Sequence, residues 1–182
     1  FYPDEKAQIE NYSLKYFTDT LNELRPRFNF SDGKNYAKLE GVTCFRGNNM
    51  RDGGSYGNVT VKEGRLNILW KKDIGAIDNW TGVGWNGQPS IVKWDKTAIK
   101  DMNIKDEKKN KDNLKEVLYA TLDGNVYFLD LQDGSDTRQK LNIGAPIKGS
   151  LSVDPRGIPL LYVGQGINKN GNNYVDFGYR IF

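Results

Sequence analysis

The sequence contains no histidine. This absence excludes Ser-His-Asp and Cys-His catalysis and His-ligated zinc, and it removes the commonest general base at neutral pH. An enzyme with this sequence would therefore depend on carboxylates, lysine, tyrosine or a bound cofactor.

Cysteine is almost absent, since Cys44 is the only one in the chain. A single cysteine excludes an intrachain disulfide. We expect Cys44, within "GVTCFRG", to be a small buried apolar residue, because a reactive thiol needs basic partners and only Arg46 is near in sequence.

Long apolar runs and an excess of one charge are also lacking. No stretch of 18 apolar residues occurs, so we expect no membrane span in this segment. The 26 basic and 23 acidic residues give a net charge of +3. This excess is too small and too dispersed to indicate a nucleic-acid partner.

The abundant residue types favour an all-β protein with many turns. Aromatic residues make up 12% of the chain, and there are 20 glycines. One exception is residues 4–24, where apolar residues recur every three to five positions and predict a helix that ends before Pro26. We therefore divide the chain into an N-terminal helix and linker, 1–42, and a β domain, 43–182.

Residues 26–64, which run from the linker into the β domain, are loop-like and rich in Gly, Asn and Asp. Short strands follow, and the pair Asp123-Gly124 predicts a hairpin between two of them. In the second strand of this hairpin, "VYFLDL", apolar residues occupy both faces, so both faces must be covered. The predicted strands lie within residues 65–75, 87–94, 116–124, 125–134, 137–144, 148–154, 159–166 and 178–182.

These strands form an internal repeat. Four pairs of residues align in it: Ser90 with Leu151, Val92 with Val153, Tyr119 with Tyr162, and Phe128 with Phe182. The first copy is longer because of the charged segment 96–115, which we interpret as an inserted solvent-exposed loop. Without insertions the period is about 40 residues, which predicts a β-propeller of four-stranded antiparallel blades.

The stretch "LYATLDGNVYFLDLQDG" resembles the repeat of PQQ-like β-propellers, the quinoprotein-dehydrogenase-like superfamily. "FRGNNMRDG" followed by "LNILWKKDIG" is similar to the first segment of such domains. Two positions depart from the family pattern, since Asp133 replaces the turn threonine and Arg138 the tryptophan of the outer strand. Trp70 occupies that tryptophan position in the preceding strand, so the resemblance implies partial tryptophan docking between blades.

The resemblance also implies an incomplete propeller. Residues 66–75 match the outer strand of one blade, 87–143 a full blade, and 148–182 about three strands of the next. Because a propeller needs at least four blades, we expect a fragment of about two blades. The remainder of the propeller, as a second chain or a missing segment, is then one partner.

The candidate ligand site is the loop "DNWTGVGWNG". It contains Trp80 and Trp85, and Asn79 and Asn86 lie beside them. Exposed tryptophan next to amide groups is typical of surfaces that bind sugars or peptides. The alternative is that these rings pack between blades, which we expect for Trp94.

A calcium site is a second candidate, in the loop "NKNGNNYVD". Asn168, Asn170, Asn172 and Asp176 alternate there, faintly like a calcium loop, but only one of them is a carboxylate. The alternative is a polar loop between strands. Three other carboxylates lie at turns, where we expect them to accept backbone N–H bonds: Asp123, Asp130 and Asp133.

These observations favour a non-catalytic binding or scaffold module of a secreted or surface-anchored protein, in the extracellular space or cell envelope. Its partner would be a protein or a glycan. The alternative is a quinoprotein-type or carboxylate-based enzyme that acts at the propeller channel mouth. We expect no cofactor other than Ca²⁺, and not PQQ, since no PQQ-binding constellation matches and one cysteine excludes the disulfide of adjacent cysteines seen in the family's dehydrogenases.

Overall fold

The structure, a computed structural model, describes residues 37–48, 51, 53, 58–84, 87–170 and 172–182, all within one compact unit. Strands outnumber helices there, and every strand pair is antiparallel. The predicted helix 4–24 lies outside the described residues. The strands are β1 (Glu40–Val42), β2 (Ala76–Ile77), β3 (Trp80–Thr81), β4 (Ser90–Lys93), β5 (Glu116–Ala120), β6 (Asn125–Asp130), β7 (Leu141–Asn142), β8 (Ser152–Val153), β9 (Leu161–Gly164), β10 (Lys169–Asn170), β11 (Asn173–Tyr174) and β12 (Tyr179–Ile181).

Two short helices, α1 (Lys96–Asp101) and α2 (Asp106–Lys109), lie between β4 and β5. Asp95 caps α1, because its carboxylate accepts a hydrogen bond from the Thr97 backbone N–H at 2.8 Å. Neither helix of the described residues has the length and apolar character that crossing a membrane requires.

Sheet 1 has five strands in the order β1-β4-β5-β6-β7. Its last four strands are those predicted for the blade 87–143. The fifth, β1, lies in a region that we interpreted as loop and linker. Its sequence, Glu-Gly-Val, is too short to show alternation, and Gly41 permits the close pairing, since a Cβ there would lie 2.1 Å from the Ile91 carbonyl oxygen.

The hairpin at Asp123-Gly124 is confirmed. β5 and β6 pair in register with Leu118 opposite Phe128, and Gly124 has the positive φ of +74° that the turn requires. The second turn, at Asp133-Gly134, is also present, since the Gly134 N–H donates to the Asp130 carbonyl at 2.8 Å. Beyond this turn the chain pairs again with β6 as β7.

All six residues of β6 are buried, so the expectation that both faces are covered is confirmed. Val126 and Phe128 face the main core, and Tyr127 and Leu129 face a second cluster with Val117.

Sheet 2 has three strands in the order β12-β9-β8. Its residues Val153, Leu161 and Val163, together with Leu151 directly before β8, share the main core with sheet 1. The Leu161 and Phe182 backbones exchange hydrogen bonds of 3.0 Å in both directions. The pair of Leu161 and Phe182 is equivalent to the pair of Leu118 and Phe128 in sheet 1. The repeat alignment of the second and third strands therefore agrees with the observed strand register.

The alignment of the first strands does not preserve the register. Val92 lies opposite Glu116, three residues before Tyr119, whereas Val153 lies opposite Leu161, one residue before Tyr162. The alignment of Val92 with Val153 is therefore wrong by two residues. A shift of two keeps each side chain on its face, so the apolar pattern alone did not reveal it.

Residues 96–115 differ from the solvent-exposed loop that we predicted. The segment contains both helices, and it contributes Ile99, Met102, Ile104 and Leu114 to the main core. Because many residues between them are charged, the composition of the segment did not reveal these four buried apolar positions. The burial of these four side chains makes the segment part of the folded core.

Residues 65–75 are not a strand, in contrast to our prediction. The segment crosses the second face of sheet 1, where Trp70 and Ile74 pack against the cluster of Val117, Tyr127 and Leu129. The Trp70 indole N–H donates to the Leu131 carbonyl at 2.9 Å, and its ring contacts Gly134. Side chains therefore hold this covering segment (residues 70–75) in place, without a ladder of backbone bonds.

The close contact between Trp70 and Gly134 gives a first prediction. A Cβ at Gly134 would lie 2.6 Å from Cδ2 of Trp70, and φ is +70° there. We expect Gly134→Ala to lower the free energy of unfolding by about 3 kcal/mol, since the strain of a left-handed backbone adds to displacement of the ring. Urea denaturation measures this loss.

Gly144→Ala is the matched control. Gly144 has a similar φ of +77°, but nothing lies within 4 Å of a Cβ built there. We expect this variant to lose only about 1 kcal/mol, from backbone strain alone. Equal losses in both variants would show that the Trp70 contact adds no stability.

Candidate functional site

The strands β2 and β3 form a small hairpin that presents Trp80. Ile77 lies opposite Trp80, and the turn between them contains Asp78, with a φ of +51°, and Asn79. Trp80 is 36% exposed, so part of its indole ring faces solvent. We call residues 76–81 the Trp80 hairpin.

The Trp80 hairpin is fixed to sheet 1 by hydrogen bonds on both of its flanks. Gly82 accepts one from the Leu122 N–H at 2.9 Å, and the Thr81 hydroxyl donates to the Gly75 carbonyl at 2.9 Å. The Gly75 N–H donates in turn to the Asp123 carboxylate at 3.0 Å. The exposed ring is therefore displayed on a rigid support.

A lysine lies over one face of the exposed ring. The Lys148 ammonium is 4.9 Å from the Trp80 ring centroid, within the range of a cation–π contact. The loops that carry the two residues touch, since a Cβ at Gly84 would lie 2.1 Å from the Lys148 carbonyl oxygen. An aromatic ring and an ammonium are thus in contact, and the exposed residue Asn79 directly precedes the ring in the turn of the hairpin.

The structure places the predicted ligand residues as follows. Asn79 and Trp80 lie on the Trp80 hairpin, and Trp85 and Asn86 lie outside the described residues. Trp94 is buried and its indole N–H donates to Glu116 at 2.8 Å, which confirms its structural role. Lys148 was missed, because a basic residue 68 positions away in sequence gives no signal of contact with Trp80.

The Asp123 carboxylate is the centre of a buried hydrogen-bond network. It accepts bonds from the Thr121 hydroxyl, the Asn125 amide groups and the Tyr127 hydroxyl, the last at 2.6 Å. Burial alone would raise the pKa of Asp123, but these hydrogen bonds outweigh it and lower the pKa to about 2. The bond from Gly75 joins the covering segment to this network.

The turn roles of the other two aspartates are confirmed as well. Asp130 accepts a bond from the Gln132 N–H at 3.0 Å, and Asp133 one from the Ser135 N–H at 2.9 Å. Asp130 also pairs with Lys108 and Lys111, at 2.8 and 2.6 Å, so it ties the segment 96–115 to sheet 1.

Glu116 and Arg138 form a second buried network. Arg138 donates to both carboxylate oxygens of Glu116, at 3.1 and 2.8 Å, and its guanidinium stacks on the Phe128 ring at 4.0 Å. Trp94 and Thr137 also donate to Glu116. Stacking on Phe128 thus lets the Arg138 guanidinium pack as a flat group against the core.

An apolar cavity of about 300 Å³ lies between the covering segment and sheet 1. Trp70 and Ile74 from the covering segment line it, together with Val117, Tyr119 and Tyr127 from the sheet. Nothing in the sequence indicated this cavity, because it depends on the covering segment lying across the face instead of pairing as a strand.

The Asn-rich loop contains a short hairpin of β10 and β11. The Asn170 amide donates to the Gly144 carbonyl at 2.8 Å, and the Asn168 carbonyl accepts a bond from the Val175 N–H at 2.9 Å. Asn172 and Asp176 are both exposed. The calcium site at these four residues stays a prediction.

The described residues offer no further candidate for a metal site or a reactive thiol. No three His, Cys, Asp or Glu side chains are grouped there so that they could hold a metal ion. Cys44 is half-buried, and burial raises the pKa of its thiol, which disfavours the nucleophilic thiolate.

Comparison with known proteins gave no match, neither to a family model, nor to a curated protein, nor to a solved structure.

The low pKa of Asp123 gives a second prediction. A carboxyl whose pKa is lowered by folding stabilises the protein above its unfolded pKa and loses that contribution as the pH falls towards the folded value. We expect Asp123→Asn to lower the free energy of unfolding at pH 7 by roughly 2 kcal/mol and to weaken its fall between pH 4 and 2. Urea denaturation across this pH range measures both; parallel pH profiles of the variant and the wild type would contradict the assignment.

A third prediction concerns Glu116. Glu116→Gln keeps the shape of the side chain but leaves the Arg138 charge without its buried partner, so we expect a loss of about 3 to 5 kcal/mol in the free energy of unfolding.

The control for Glu116→Gln is Asp112→Asn, which breaks the exposed 2.9 Å pair with Lys96 and should leave the free energy of unfolding nearly unchanged, because water screens this pair. Comparable losses in chemical denaturation would show that the buried network does not stabilise the fold.

Proposed function

We propose that this chain is a non-catalytic binding module, part of a PQQ-like β-propeller in a secreted or surface-anchored protein, and that the Trp80 hairpin binds a glycan or a protein partner. The observation that carries the proposal is the partly exposed Trp80 ring on a rigidly held hairpin, beside Lys148 and Asn79.

Two packing contacts of sheet 1 support the propeller. Sheets 1 and 2 each consist of antiparallel strands, and the two sheets share one core, as neighbouring blades do. Trp70 docks on the Asp133-Gly134 turn of sheet 1 from the covering segment, which precedes strands β4 to β7 of that sheet in the chain. The family resemblance implies tryptophan docking of this kind.

The outer face of sheet 2 also fits a propeller. Tyr179 and Ile181, two residues apart on β12, are 67% and 60% exposed, and Phe177 beside them is 67% exposed. A row of large apolar side chains on one face of a sheet is costly to leave in water. In a propeller, the next blade would cover this face.

The chemistry of the Trp80 hairpin suits a neutral or anionic polar partner. An indole ring offers a flat apolar surface to the C–H face of a sugar or to a peptide side chain. The Lys148 ammonium, which lies over one face of the ring, and the exposed Asn79 amide are donors for hydrogen bonds to such a partner. Rigid support lowers the entropy lost on binding, which favours affinity from a small contact.

A fourth prediction tests this function. We expect a glycan array or a pull-down from the producing cell's surface to identify a partner, and Trp80→Ala to weaken its binding at least tenfold while the free energy of unfolding changes by less than about 1 kcal/mol.

Tyr174→Ala is the matched control, since Tyr174 is another exposed aromatic residue on a short hairpin, and its loss should leave partner binding unchanged. Unfolding of Trp80→Ala would show that the ring is a core residue. Saturable, stoichiometric binding of PQQ with Ca²⁺ to the full-length protein would favour a quinoprotein enzyme instead.

A further inference from the structure

A second cavity adjoins the apolar cavity. Its volume is about 520 Å³, and the two cavities share Lys72 and Tyr127 in their linings. The walls differ in chemistry, because cationic side chains surround the second cavity: Lys72, Lys105, Arg138 and Lys140. Both volumes fall within or at the lower edge of the range for sites that bind small molecules.

Carboxylates neutralise only part of this positive charge. Lys72 pairs with Asp136 at 2.8 Å, and Arg138 pairs with the buried Glu116 at 2.8 Å. Within the described part of the chain, Lys105 and Lys140 make no ion pair. Besides Asp136, the lining contains one other carboxylate, that of Asp73, to balance their two charges. The wall therefore keeps an excess of positive charge.

Tyr127 brings two of the cations together at the junction of the cavities. The Lys140 and Lys72 ammonium groups lie 5.5 and 5.9 Å from the centroid of its ring. Asp136 already pairs with Lys72, so the charge near this ring that a bound anion would neutralise is that of Lys140. Tyr127 itself is only 5% exposed and is held by its bond to Asp123, so the junction is rigid.

The apolar cavity has the size and lining for a ring. An apolar cavity of about 150 Å³ is enough to bind benzene, and this one is about twice as large, at about 300 Å³. Three aromatic side chains line it, those of Trp70, Tyr119 and Tyr127. Aromatic walls favour stacked or edge-to-face contact with a further ring.

We propose that the two cavities form one binding site for a small aromatic acid. The ring of the ligand enters the apolar cavity, and its carboxylate, phosphate or sulfonate group lies in the cationic cavity between Lys72 and Lys140. This site is separate from the Trp80 hairpin, and it does not depend on the function proposed for that hairpin.

The test uses three probes that separate the two cavities. They are 2-naphthoate, which has both the ring and the charge; 2-naphthalenemethanol, which has the ring alone; and acetate, which has the charge alone. We expect calorimetric titration of the purified chain to detect 2-naphthoate, weaker binding of 2-naphthalenemethanol, and no binding of acetate at millimolar concentration.

Two variants test the two halves of the site. Lys140→Gln should weaken binding of 2-naphthoate about fivefold and leave 2-naphthalenemethanol unchanged. Val83→Phe should abolish binding of both ring compounds, since Val83 lines the apolar cavity and is 42% exposed, so a larger side chain there is tolerated by the fold. Lys96→Gln, which removes the same charge from a distant exposed site, should change neither.

Three results would overturn the proposal. The first is no binding of 2-naphthoate by a chain whose thermal unfolding is cooperative. The second is equal weakening by Lys140→Gln and Lys96→Gln, which would show a general charge effect. The third is binding that Trp80→Ala abolishes while Val83→Phe and Lys140→Gln preserve it, which would place the ligand on the Trp80 hairpin.

Discussion

The burial of β6 on both faces is the constraint on which the rest of the structure depends. Every residue from Asn125 to Asp130 is buried, so each face of sheet 1 needs an apolar cover. Sheet 2 and the segment 96–115 supply one cover, and the covering segment supplies the other. The two covers differ in kind, because the first is a packed core and the second is a single stretch of chain that leaves a cavity beneath it.

Buried carboxylates join these layers. Asp123 binds the covering segment through Gly75, Asp130 binds the segment 96–115 through Lys108 and Lys111, and Glu116 binds Arg138 after the second turn. A buried charge is tolerated only where partners surround it, so each of these contacts also fixes the position of a neighbouring segment. These three carboxylates are committed to structure.

The sequence predicted the parts of the fold that local chemistry determines. Asp-Gly pairs specify tight turns, so the hairpin at Asp123-Gly124 and the turn at Asp133-Gly134 could be placed without a structure. The strand β1 could not, because three residues with a central glycine carry no periodicity. The segment 96–115 was misinterpreted for a different reason: four apolar residues among many charges suffice to anchor a chain, although their share of the composition is small.

The candidate site was predictable only in part, for the same reason. Asn79 and Trp80 were found from local sequence, whereas Lys148 and both cavities arise from contacts between distant segments. The covering segment is the source of most of them. Its composition suits a strand, but Trp70, Lys72 and Gly75 find partners in Leu131, Asp136 and Asp123, and these side-chain contacts replace a backbone ladder.

The same covering segment connects the two proposed sites. It ends at Gly75, directly before the Trp80 hairpin, and its Lys72 lies in the wall of both cavities. Contacts of Trp70 and Gly75 hold both ends of this segment against sheet 1, so the segment that covers the apolar cavity also fixes the base from which the hairpin extends.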